Sequence, residues 1–162
     1  MKDVGRQIIV ADDMNYVIIA MKALFETVFL LDTDVVTYVR DGQEVLDLAR
    51  ENLKRPREGD HRPITLMILD FNMPMLNGLE VIDLIKELYW SAGEKQPPFF
   101  MMHTSNQEKA FRDRCLSLGV GEFAEKPVKE EKLAQILLKG GFIKKYEPMR
   151  AIAAQNEGIQ PI

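Results

Sequence analysis

Short apolar runs alternate along this chain with longer segments in which apolar residues recur every three or four positions. Gln7 to Ala11 is a short run that ends in Asp12-Asp13. From Asn15 to about Leu30 the spacing predicts a helix, with Val17, Ala20, Met21, Leu24 and Val28 on one face. Asp34 to Val39 is β-branched and short, hence a strand, and Asp41-Gly42 opens a second helix through about Asn52. Leu53 to Pro63 carries charges together with Pro56, Gly59 and Pro63, and reads as a surface loop in which His61 is solvated. Thr65 to Leu69 is an apolar run that stops at Asp70, with Pro74 soon after. It is too short for a typical helix and suits a strand buried on both faces.

The alternation continues to the C-terminal part. Asn77-Gly78 starts a third helix that runs to about Trp90, and Phe99 to Thr104 is a fourth strand. Ser105 or Asn106 can cap the helix that follows, which ends near Gly119. Glu122 to Glu125 is a fifth strand, closed by Lys126-Pro127. Lys129 to about Lys139 is a fifth helix, with Leu133, Ile136 and Leu137 inward, and Gly140-Gly141 ends it. The expected organisation is one domain over residues 1–140 and a C-terminal extension over 141–162.

Five strands alternating with five helices make an α/β protein: a parallel sheet covered on both faces and joined by right-handed crossovers. In such open sheets ligands bind at the carboxyl ends of the strands. Those ends here carry Asp12 and Asp13, Asp70, Thr104 and Lys126. Carboxylates packed together repel unless a cation joins them. Hard oxygen donors in small number suit Mg²⁺, which keeps several waters and shares a phosphate. The chemistry this supports is phosphoryl transfer: a carboxylate attacks phosphorus to form an acyl phosphate, while the metal, Lys126 and Thr104 stabilise the equatorial oxygens.

Composition narrows the picture little. The 162 residues carry a net charge of -4, and the pI of about 5.3 argues against a nucleic-acid surface. A single cysteine, Cys115, allows no internal disulfide and fits a reducing, cytoplasmic setting; it reads as a packed helix residue. Lys22, Glu26 and Thr27 interrupt the longest apolar stretch, so no membrane span is expected.

Asp12-Asp13, Asp70-Phe71-Asn72-Met73-Pro74, Asn77-Gly78, Thr104-Ser105 and Lys126-Pro127, in this order at the strand ends, resemble the receiver domain of two-component response regulators. The layout is chemotaxis-regulator-like, and the resemblance covers about Arg6 to Lys139. It implies a flavodoxin-like doubly wound five-stranded parallel sheet, strand order 2-1-3-4-5, with five helices. It also implies that Asp70 is the phosphoacceptor and that Asp13, Asp70 and the carbonyl of Asn72 bind Mg²⁺, with Asp12 acting mainly through water. Thr104 and Lys126 would contact the phosphoryl group. Phe123, three residues before Lys126, matches the family's rotating switch aromatic, with a static core residue as the alternative reading; the Tyr common there would carry a hydroxyl that Phe123 lacks. Asn77 stands where Asp is common and is expected to cap a helix. The switch would remodel the face made by the fourth helix, fifth strand and fifth helix. His103 should point to the opposite side of its strand from Thr104 and is read as structural or surface, not as a phosphohistidine.

A phosphatase of the haloacid dehalogenase type also uses an Asp nucleophile at a strand end, but places a second Asp two residues on. Here that residue is Asn72, which cannot titrate. Neither G-x-x-x-x-G-K-[ST] nor G-x-G-x-x-G occurs. A receiver cut from a hybrid histidine kinase is the nearer alternative. The 36 residues after Lys126 are expected to hold no DNA-binding output domain, so the expected partners are a sensor histidine kinase or histidine phosphotransfer protein and a downstream protein target. The first helix is more apolar than one-sided packing requires. Ile18 and Ile19 are expected to dock a donor's helical bundle next to Asp70. The alternatives are a patch covered by the C-terminal extension and a weak dimer in place of a monomer.

Overall fold

The structure, a computed structural model, describes residues 5–55 and 59–148. Five strands, β1 (Gln7–Ala11), β2 (Val36–Val39), β3 (Ile64–Leu69), β4 (Phe99–Thr104) and β5 (Val120–Glu125), alternate with five helices. The helices are α1 (Asn15–Ala23), α2 (Gly42–Lys54), α3 (Gly78–Ser91), α4 (Lys109–Ser117) and α5 (Glu130–Lys139). The strands form one sheet in the order β2-β1-β3-β4-β5, and every neighbouring pair is parallel. The flavodoxin-like topology implied by the family resemblance is therefore the one observed. The chain divides into two compact units, Met1–Val128 and Lys129–Ile162. The part of the expected extension over 149–162 lies outside the described residues.

In the first unit, strand alternation sorts the core into two faces. Ile9, Ala11, Met67, Leu69, Phe100 and Met102 form one cluster with Val45 and Leu46 of α2, Leu79, Val81, Ile82 and Ile85 of α3, and Phe111 and Cys115 of α4. The alternate residues Ile8, Val10, Leu66, Ile68 and Met101 are equally buried and face the other way. Helix α1 lies on that side: its continuation carries Phe25, whose ring meets Tyr38 of β2 edge to face at 6.4 Å, and Tyr38 is in register with Val10.

The buried face of α1 departs from the expected one. Val17, Ile18, Met21, Phe25 and Phe29 are buried, whereas Leu24 and Val28 are only half-buried. After Ala23 the helix widens into a π turn over Leu24–Val28, in which the N–H of Phe29 reaches the carbonyl of Leu24. A π turn takes one residue more than an α turn, so Phe29 returns to the core in place of Val28. Ile18 is thus a core residue and not part of an exposed pair; Ile19, 68% exposed, remains on the surface.

Most helix starts follow the residues that announced them. Asp41 caps α2 by accepting from the N–H of Glu44. Asn77 caps α3 by accepting from Leu79 and Glu80. The start of α4 differs: the helix begins at Lys109, and its capping position, Glu108, gives no side-chain bond. Asn106 instead closes the preceding turn, accepting from the N–H of Glu108. Gly119 follows the end of α4 at φ +99, the left-handed conformation glycine adopts without strain. His61 is half-buried.

In the second unit α5 buries Leu133, Ala134, Ile136 and Leu137. Gly141, at φ +72, turns the chain; the N–H of Phe142 then donates to Leu137, and the Tyr146 hydroxyl donates to Glu130. No helix among the described residues is long and apolar enough to cross a membrane.

Candidate functional site

The site forms because three adjacent parallel strands and β5 end at the same level. The N–H of Asp12 donates to Val39 and that of Asp70 to Ala11, the last residue of β1. These bonds set Asp12 and Asp70 side by side, and both are almost fully buried, while Asp13 faces solvent. Asp12 also accepts from the N–H of Met14 at 3.0 Å. On the other side of Asp70 the N–H of Lys126 donates to the carbonyl of Thr104, which brings β5's last residues to the same edge. The Lys126-Pro127 peptide is cis.

Lys126 spans the cluster. Its ammonium lies 2.6 Å from Asp12 Oδ2 and 3.1 Å from Asp70 Oδ2, with only 10% of its side chain exposed. Burial pushes the Asp70 carboxyl above the ordinary carboxylate range and Asp12 adds to this, while Lys126 and the Asn72 N–H pull it back. For Lys126 burial works against the charge, but its two carboxylate partners outweigh it and raise the ammonium. The ion pairs are therefore what keeps a buried carboxylate and a buried ammonium in one small space.

Oxygen atoms from Asp12, Asp13 and Asp70 all lie within 4.8 Å of one another. Three carboxylates at that spacing, one of them open to solvent, are a hard-oxygen donor set that fits a small divalent cation. Thr104 is buried, and its hydroxyl oxygen accepts from the N–H of Asn106 at 3.1 Å, which leaves its proton available to an oxygen at the cluster. Asn72 is exposed beside Asp70.

Gly78 brings α3 up to the backbone of Asp70. Its N–H donates to Phe71, and a Cβ on Gly78 would stand 2.5 Å from the carbonyl oxygen of Asp70. The Asn77-Gly78 pair was legible as a helix start; that the glycine is needed by the backbone of Asp70 was not, because sequence spacing says nothing of how closely a helix returns. His103 does lie on the opposite side of β4 from Thr104, yet it is buried, not surface. Burial and then the nearby Lys126 lower its pKa to about 4, so it is neutral at pH 7. Beside it a groove of about 440 Å³ runs along α1, lined among others by Tyr16, Val17, Met21, Lys126 and Pro127.

Phe123 lies on β5, in register with Met102 of β4. It is half-buried, packed against the core cluster, and the Arg112 guanidinium stands 5.0 Å from its ring centroid. Nothing in the sequence pattern singled out Arg112; an arginine facing Phe123 from the preceding helix is visible only once α4 is placed against β5.

A sequence profile of the response regulator receiver domain matches residues 8–138, so the chain belongs to that family, a module of two-component phosphorelay signalling. The two-component response regulator ARR3 of Arabidopsis thaliana is 32% identical over 109 residues, which cover 67% of this chain and 46% of that protein. The signal transduction histidine-protein kinase BarA of Escherichia coli is 25% identical over 122 residues, 75% of this chain and 11% of that one. The chain thus spans less than half the length of these relatives. Among solved structures, the receiver domain of Ssk1, in a co-crystal with the histidine phosphotransfer protein Ypd1 of Saccharomyces cerevisiae, has a TM-score of 0.68 at 15% identity, covering 89% of this chain and 94% of that one. The Vibrio cholerae chemotaxis protein CheY4 has a TM-score of 0.62 at 19% identity, covering 83% and 97%. At these identities both show the fold.

Proposed function

We propose that Asp70 accepts a phosphoryl group from a phosphohistidine on a sensor histidine kinase or histidine phosphotransfer protein, and that the acyl phosphate switches this chain's contacts with a downstream protein. The observation that carries this reading is the Lys126 ammonium held between Asp12 and Asp70, a cation already aimed at the oxygen that would attack. An Asp70 carboxylate oxygen bonds to phosphorus as the bond from phosphorus to the donor imidazole breaks. Lys126 then pairs with one phosphoryl oxygen, and the Thr104 hydroxyl donates to another. Asp13, Asp70 and the Asn72 carbonyl would hold Mg²⁺, with Asp12 acting through water. When bound, the metal neutralises and orients the phosphoryl oxygens. The chain promotes only its own phosphorylation and dephosphorylation; it is a signalling domain and not a member of a classical enzyme family.

The test is labelling by acetyl phosphate, read by intact mass with and without Mg²⁺. Wild type gains one acid-labile phosphate only with the metal, Asp70→Ala gains none, and Asp13→Ala gains it at much higher metal concentration. An acid-stable adduct, or full labelling of Asp70→Ala, would overturn the assignment.

The exposed face of α1 supports a docking surface for the protein donor. With Ile18 in the core, the exposed large apolar residues of α1 are Tyr16 and Ile19, both 68% exposed, and Tyr16 also lines the groove that reaches Lys126. A helical bundle presenting a phosphohistidine can lie along them; that a receiver can bind a phosphotransfer protein is supported by the Ssk1 co-crystal with Ypd1. Ile19→Lys should slow transfer from the protein donor at least ~10-fold and leave acetyl phosphate labelling unchanged, because the residue is remote from the carboxylates' own chemistry. Unchanged transfer with lowered stability would favour a patch covered by the chain itself, and a change in oligomeric state would favour a dimer. The partial match to BarA, a long histidine kinase, supports a second reading, a receiver belonging to a hybrid kinase.

A further inference from the structure

Phe123 has no hydroxyl with which to anchor itself at either end of a rotation, so something else must set its resting position. Among the described residues, the Arg112 guanidinium is a polar group set against its ring. Arg112, exposed on α4, places its guanidinium carbon 5.0 Å from the ring centroid, within the distance at which a cation is drawn to an aromatic face. The helix that carries it is itself fixed. Phe111, the preceding residue, is buried, and its ring meets that of Phe71 edge to face at 4.9 Å. Phe71 directly follows Asp70. One residue on, a step of about 100° around the helix brings Arg112 from the core side to the outer edge, over β5.

We propose that Arg112 is a positioning residue of the Phe123 switch: its guanidinium holds the ring half-buried from the outside and sets how readily phosphate at Asp70 draws the ring inward. The inference rests on the reading of Asp70 as phosphoacceptor and Phe123 as switch, and adds to it the residue that biases the switch. It also gives the bias a route from the site, since Phe71 and Phe111 tie α4 to the residue after Asp70. A cation–π contact at an exposed site changes a two-state ratio by about 2- to 5-fold.

The experiment follows the Phe123 ring by NMR in carbon-labelled phenylalanine protein, with Phe123→Leu to assign the signal. Beryllofluoride with Mg²⁺ serves as the phosphate mimic. Arg112→Met keeps the aliphatic stem and removes the cation, and the exposed position makes loss of folding an unimportant outcome. The inward-to-outward ratio, with and without the mimic, should rise about 2- to 5-fold in Arg112→Met and return toward wild type in Arg112→Lys, which keeps the charge. A wild-type ring that responds to the mimic while Arg112→Met leaves the ratio unchanged would overturn the role of Arg112 alone. Equal changes in the Met and Lys variants would overturn the cation–π contact as its basis. A wild-type ring that ignores the mimic would overturn the switch reading beneath it.

Discussion

His103 shows how much chemistry a single buried residue can carry without taking part in the reaction. It lies beside Lys126 on the face of β4 turned away from Thr104, and its pKa is lowered to about 4, first by burial and then by the ammonium. Unfolding releases it to water, where its pKa returns to about 6.5. Between those two values the unfolded chain binds the extra proton, so this residue's contribution is complete above pH 6.5 and is lost as pH falls toward 4. Over that window the loss approaches about 3 kcal/mol. Asp70 acts in the opposite sense, because burial raises its carboxyl and acid favours its folded form. Comparison with His103→Leu isolates the histidine. In urea titrations at pH 7 and pH 5, wild type should lose more stability on acidification than His103→Leu, and parallel losses would show that the imidazole is not desolvated as described. Alternation along β4 placed His103 opposite Thr104 from sequence alone. Its burial was not legible, since a strand pattern does not say how deeply each end is covered.

At the scale of the element, the legible features were those with a local cause. Asn77 was recognisable as a cap because a short side chain accepts from the first turn's free N–H groups, and it does so twice. Asn77→Ala should therefore cost about 1 kcal/mol. Its neighbour is different in kind. A methyl at Gly78 would press into the Asp70 carbonyl oxygen, a backbone atom that cannot turn aside as a side chain can. Gly78→Ala should cost about 1–3 kcal/mol and also slow acetyl phosphate labelling, whereas Asn77→Ala should leave labelling near wild type. Thermal melts and labelling rates on the same two variants separate the roles; equal labelling in both would mean that α3's approach does not set the geometry of Asp70. The π turn after α1 was not legible. A period of 3.6 fitted Val17, Met21, Leu24 and Val28 well, and only tertiary packing decides that Phe29 fills the core while Val28 gives way.

For the molecule as a whole, the ends of four strands specify one acidic pocket, and that is why its residues could be gathered from positions as far apart as Asp12 and Lys126 before any coordinates. What stood outside that logic are contacts between elements, such as Arg112 over Phe123, because they depend on how helices settle on the finished sheet. The pocket itself is a store of repulsion. Asp12 and Asp70 are buried near each other, with Asp13 at the solvent edge and one ammonium to offset them. A divalent cation that joins Asp13 and Asp70 relieves that repulsion in the folded state and has no such site in the unfolded chain, so it should stabilise by mass action, about 2.7 kcal/mol at a hundred times its dissociation constant. Asp13 is exposed, so Asp13→Asn should melt close to wild type without metal and lose most of the Mg²⁺-dependent rise in melting temperature. The control is Asp47→Asn, an exposed acid on α2, which should keep the full rise. If Mg²⁺ stabilises wild type and Asp13→Asn equally, the cation is held elsewhere and the donor set assigned to it is wrong.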